Sequence, residues 1–149
     1  MKRSSRRGFR RDRRAVAAVD FAIVATPLLM LVLGTIEFGR LIWMREALQM
    51  TAIQAARCMG VRQPACSAGG EYNQTNTQSY VIGLGNTWGI PLTNANLTLP
   101  TGGVASSGVC NGLAEISISY TFQTAVPGLL TMLSGGKALT GHACFPRQS

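Results

Sequence analysis

The 149-residue chain has one histidine, His142, and only six acidic side chains. So few groups that titrate near neutral pH leave little from which to build general-base or metal-site chemistry. Glu71 and Glu115 stand alone in the sequence, so no pair of carboxylates is placed for acid–base work. No Cys-x-x-Cys spacing occurs, which argues against a zinc site built in that way. Charged residues make up 13% of the chain and hydrophobic ones 46%, too apolar for a disordered polymer and unusual for a small soluble protein. The length suits one small domain and leaves no room for a large multidomain enzyme.

What the chain does have is positive charge, +8 overall, and nearly all of it sits at one end. Residues 1–14 hold Lys2, Arg3, Arg6, Arg7, Arg10, Arg11, Arg13 and Arg14 against Asp12 alone, so this tail carries +7 and the rest of the chain +1. Directly after it, residues 15–36 read AVAAVDFAIVATPLLMLVLGTI, with Asp20 as the one charge. A helix of about 20 apolar residues crosses a bilayer core of roughly 30 Å. A cleaved secretory signal would instead have an apolar region of about 7–15 residues ending at an A-x-A-like site. Here the run is longer, no such site follows, and helical sequence continues past it. The reading is a membrane-spanning helix over about residues 18–40. Counting Lys and Arg on its two flanks puts the tail in the cytoplasm and the carboxyl end outside. Beside such a span the basic tail reads as a topology determinant, and no nucleic-acid partner is expected.

The apolar pattern continues beyond the span. Leu41, Met44, Leu48, Ala52, Ala55 and Met59 recur at three or four, while Arg45, Glu46, Gln49, Gln54 and Arg57 take the other side. One helix over residues 16–58 is therefore expected, roughly 60 Å long at about 1.5 Å per residue. Pro27 and Gly34 fall inside it, both tolerated in membrane helices. The stripe is expected to pack against the chain's own outer domain. After Gly60 the composition turns to Gly, Ser, Thr and Asn. Residues 76–85 are a helix candidate, 95–99 alternate apolar and polar, and 114–122 (AEISISYTF) make the clearest strand. Residues 127–133 suggest a short helix opened by proline, and 138–145 a returning strand. The fold class is α+β: a basic leader over 1–15, a long transmembrane and amphipathic helix over 16–58, and a small antiparallel-sheet domain over 59–149.

Cys58, Cys66, Cys110 and Cys144 all fall on the outer side, where an even count favours disulfides. Three pairings are open, and proximity favours Cys58–Cys66 with Cys110–Cys144. His142 and Cys144, two apart on a strand, imitate a Cys–His pair, but no third orienting group is evident. Gly83-Leu84-Gly85-Asn86-Thr87 lacks the lysine and the preceding strand of a phosphate loop and reads as a helix end. No catalytic residue, metal, cofactor or small-molecule substrate is expected, and the protein does not read as an enzyme.

Asp20 is the residue that resists a bland explanation, because a carboxylate inside the apolar run is costly and ordinarily has a partner. Basic tail, small residue, four residues, acid, phenylalanine and a long apolar helix resembles the class 3 signal of type IV pilin-like proteins. More specifically, residues 13–60 resemble the TadE-like family of Tad (Flp) pilus assembly proteins. The matching positions are Val19, Phe21, Ala22, Pro27, Gly34, Glu37, Gly39, Arg40 and Ala55-Ala56-Arg57. The acid is Asp20 where that family usually has Glu, and Ala15 stands where glycine is usual. The resemblance implies a pilin-like fold and a minor pseudopilin in the bacterial inner membrane, with a structural role in a pilus for adhesion or secretion. It implies a prepilin peptidase acting between Ala15 and Val16, and other pilin subunits and the Tad assembly machinery as partners. Asp20, Phe21, Pro27, Glu37 and Arg40 would serve helix assembly. The competing expectation is a membrane-anchored outer binding module that never enters a filament.

Overall fold

Helix α1 runs over Arg13–Gly60, 48 residues, in a computed structural model that describes residues 13–124 and 138–148, with side chains from residue 16 onward. It starts three residues earlier and ends two later than the sequence pattern suggested. Pro27 lies inside it and withholds one N–H from the ladder without ending the helix. The two hydroxyls of the apolar stretch find acceptors one turn back. Thr26 Oγ1 donates to the Ala22 carbonyl and Thr35 Oγ1 to that of Leu31, each at 2.8 Å.

The chain divides into two units, residues 1–38 and 39–149. In the first, no described side chain from Val16 to Ile36 is buried, and Phe21 is 74% exposed. This stretch is long and apolar enough to cross a membrane. Among the described residues of this unit, none shields it.

The second unit contains the core. Ala47, Leu48, Thr51, Ala52, Ala55, Ala56 and Met59 are buried at three- and four-residue spacing. The apolar members of this stripe share a cluster with Val81, Ile90, Ile116, Ile118, Leu139 and Ala143, and Leu41 and Met44 pack at its margin. The stripe does pack on the chain's own outer domain. Alanine-rich spacing keeps that face thin, so that the sheet comes close.

The helix does not end through Gly60. Its stop is Arg62, which takes the left-handed conformation at φ 55. The Arg62 N–H donates to the Met59 carbonyl at 3.2 Å and the Gln63 N–H to that of Cys58 at 3.0 Å, the two bonds of a Schellman motif. Gly60 serves another purpose: a Cβ there would meet the Phe145 ring at 2.6 Å and the Pro146 carbonyl at 2.7 Å.

Beyond the helix come a two-residue hairpin, β1 (Ser67–Ala68) with β2 (Glu71–Tyr72), and helix α2 (Gln74–Thr87). Asn73 caps α2 by accepting from the Asn76 N–H at 2.9 Å. The GLGNT segment forms its last turns, as a helix end. Residues 95–99 divide between a 3₁₀ turn at Asn94–Asn96 and β3 at Leu97–Thr98. Asn96 explains the division, because its Oδ1 accepts from the Thr93 N–H at 2.9 Å and closes a turn where alternation alone suggested strand.

β4 (Ala114–Thr121) and β5 (Ala138–Phe145) pair antiparallel over eight residues each, with β3 on the other side of β4. Ala114, Ile116 and Ile118 of β4 and Leu139, Gly141 and Ala143 of β5 point to the core. Glu115, Ser117, His142 and Cys144 point outward. The short helix expected over 127–133 lies outside the described residues.

Candidate functional site

The residues that the pilin-like resemblance singled out are distributed along α1. Ala15 lies in its first turns, and Val16 is 59% exposed. Asp20, one turn on from Val16, projects from the helix surface with Phe21 beside it, both exposed. Pro27 is exposed as well. Glu37 differs: it is 5% exposed, the one buried acid among the described residues. Helical spacing places it on the face that continues through Leu41, Met44 and Leu48. Arg40 is exposed, with its guanidinium 5.5 Å from the centre of the Phe122 ring, a cation–π distance. Pattern alone gave no sign of that contact, since 82 positions separate the two residues.

A second constellation lies on the outward face of the β4–β5 pair. Disulfides join Cys58 to Cys66, with Cα atoms 5.9 Å apart, and Cys110 to Cys144, with Cα atoms 5.7 Å apart. The sequence suggested that His142 has no orienting partner and that Glu115 is isolated, and the structure corrects both. His142 Nε2 lies 2.8 Å from Glu115 Oε1 and 3.7 Å from Cys110 Sγ. The reason is register: Glu115 opposes Cys144 and Ser117 opposes His142, so Glu115 and His142 are diagonal neighbours on one face. Glu71 is not isolated either, with Arg62 Nη1 3.4 Å from its Oε1.

The ligand atoms of Cys110, His142 and Cys144 lie within 4.8 Å of one another. Cysteine ligates zinc as thiolate. With the two sulfurs bonded to each other, the cluster offers only an imidazole and a carboxylate.

His142 is also where α1 grips the sheet. β5 is an edge strand, and an edge presents unpaired backbone groups. The Gln49 side chain answers two of them: its Nε2 donates to the His142 carbonyl at 2.9 Å, and its Oε1 accepts from the His142 N–H at 3.3 Å. Helical periodicity assigned Gln49 to the polar side of α1, which gave its spacing but not its use. Nearby on α1, exposed Trp43 meets Trp88 edge-to-face at 5.9 Å between ring centres.

Neither the curated proteins nor the solved structures include a match to this chain. Among family models, the one described as TadE-like protein matches residues 15–57. That match takes in the exposed apolar stretch of α1 and most of the stripe that packs on the outer domain. Over residues 15–57, this chain is similar to TadE-like proteins.

Proposed function

We propose that this protein is a minor pseudopilin of a Tad (Flp) pilus, anchored by α1 in the bacterial inner membrane with its tail in the cytoplasm and the sheet domain in the periplasm. The role is structural, not enzymatic: it helps initiate or cap a filament used for adhesion or secretion. One observation carries most of this reading. The family match falls on a helix whose apolar stretch is exposed among the described residues, which supports a surface that meets lipid and then other pilin-type helices.

Asp20 supplies the mechanism. Cleavage between Ala15 and Val16 by a prepilin-type peptidase would remove the +7 tail and create an α-amino group with an ordinary pKa of about 7.7–8.0. Asp20 then lies one helical turn from that amine and within reach of the amine on a neighbouring subunit. Opposite charges at about 4 Å attract by about 4 kcal/mol at an effective dielectric of about 20, before desolvation is subtracted. An attraction of that size offsets the burial of Asp20 and fixes axial register between subunits.

The test is Asp20→Asn, expressed in the native host and followed by immunoblots of membranes and of sheared pili. Membrane insertion should persist while recovery in pili or assembly complexes falls, and Asp20→Glu should retain recovery. Normal recovery of Asp20→Asn in pili would remove the charge-pairing mechanism. Absence of the wild-type protein from pili and assembly complexes alike would favour an anchored binding module.

A further inference from the structure

The two disulfides occupy contrasting settings. Cys58 and Cys66 are both fully buried, at 0% exposure, where α1 turns into the β1–β2 hairpin. Cys144 is only half-buried on the outward face of β5, while its partner Cys110 is 1% exposed. A half-exposed imidazole stands against Cys110, with Nε2 at 3.7 Å from the sulfur. Glu115 Oε1 holds the same nitrogen at 2.8 Å. Val109, next to Cys110, is 99% exposed, so the loop that carries the bond opens to solvent. A purely structural staple needs none of these groups.

We propose that Cys110–Cys144 is a thiol-exchange site that takes a thiol onto Cys144 and releases Cys110 beside His142. The thiolate of the incoming molecule attacks Sγ of Cys144, the more exposed residue of the pair, and forms a new S–S bond there. The electron pair of the old bond leaves on Cys110 Sγ. The incoming thiol is thereby oxidised to a mixed disulfide and Cys110 is reduced to a thiolate. In its protonated form the His142 ring sets its positive charge beside that thiolate and shares its one Nε2–H between Cys110 Sγ and the Glu115 carboxylate, which keeps the ring in place. A second thiol can then remove the first as a symmetric disulfide, leaving Cys110 and Cys144 as thiols. Exchange is faster when the leaving thiolate is stabilised, which is what a neighbouring imidazolium does. Cys58–Cys66, with both residues fully buried, serves as the internal reference.

Reduced glutathione is the probe, applied to the full chain in detergent, with acid quenching, alkylation and peptide mass mapping. The expected product carries glutathione on Cys144 and a free, alkylatable Cys110, with Cys58–Cys66 intact. His142→Gln should slow its formation about tenfold, the scale of one charge-assisted hydrogen bond. The urea midpoint of the oxidised protein should stay within about 0.2 M of wild type, since a change in m or midpoint is what a lost structural role would produce. Glutathione on Cys110, equal reaction of the two disulfides, or a wild-type rate for His142→Gln would overturn the proposal. So would a slower rate accompanied by a large fall in the midpoint, because His142 would then be structural.

Discussion

Gly141→Ala should do far more damage than its single added carbon suggests. At Gly141 the middle of β5 lies directly on the α1 backbone: a Cβ there would meet the Leu48 carbonyl oxygen at 2.5 Å, its carbon at 2.7 Å and the Gln49 nitrogen at 3.1 Å. These are backbone atoms in mid-helix, with no rotamer to yield, so helix and strand must separate by close to 1 Å to restore an ordinary contact. Overpacking of this kind costs about 1–3 kcal/mol. Separation also stretches the paired Gln49–His142 bonds next to it, each worth about 0.5–1.5 kcal/mol. Reduced entropy of the unfolded chain returns about 0.4–1 kcal/mol. A net loss of about 2–3 kcal/mol follows, equivalent to about 8–12 °C in Tm for a unit of this size. Thermal unfolding of the full chain in detergent can be followed by the fluorescence of Trp43 and Trp88, the only tryptophans and both in the sheet-bearing unit. Gly83→Ala is the matched control: it lies in α2 with nothing within 4 Å of its Cβ, and should gain about 0.5–1 kcal/mol. A Tm for Gly141→Ala within 2 °C of wild type would refute the close approach of strand to helix.

Further outcomes follow from other contacts. Burial pushes the Tyr72 phenol above its ordinary value, with Thr77 acting in the opposite direction. Its stabilising contribution is intact below about pH 10 and is lost as pH rises through the folded-state value, because the unfolded chain ionises first. Urea titrations at pH 9 and 11 should therefore show a smaller loss of stability for Tyr72→Phe than for wild type, and an equal loss would contradict the burial argument. Replacing both members of a disulfide by alanine should destabilise by about 2.5 kcal/mol for Cys58–Cys66 and about 4 kcal/mol for Cys110–Cys144, because the closed loops differ in length; chemical denaturation of the oxidised full chain measures both, and a larger loss at the shorter loop would argue against the chain-entropy account. A reporter active only outside the cytoplasm should be active when fused after Ser149 and silent at Phe9, since eight positive charges precede the span; the reverse pattern would invert the topology.

Much of the fold was legible because it is written in local periods. The apolar run and the stripe through Leu48, Ala52 and Ala55 marked α1, and alternation marked β4. What escaped depends on register and on backbone approach, which no local period encodes. Glu115 looked isolated because its partner lies 27 residues away and becomes a neighbour only when β4 and β5 pair with Glu115 opposite Cys144. Gln49 looked like a solvated polar residue because its partner is the backbone of an edge strand. Gly60 makes room for Phe145, and Arg62 takes the left-handed turn that usually falls to glycine, neither of which a local period marks. The TadE-like resemblance was legible for the opposite reason. Its features lie in one uninterrupted helix, where spacing in sequence is spacing in space.

The sequence of the mature amino terminus, determined on protein purified from its native host, tests the central claim most directly. A filament subunit handled by a prepilin-type peptidase begins at Val16, with the basic tail gone and Asp20 one turn from a free amine. A mature protein that still begins at Met1, or has lost only that residue, would contradict a pseudopilin role and leave α1 as a permanent membrane anchor.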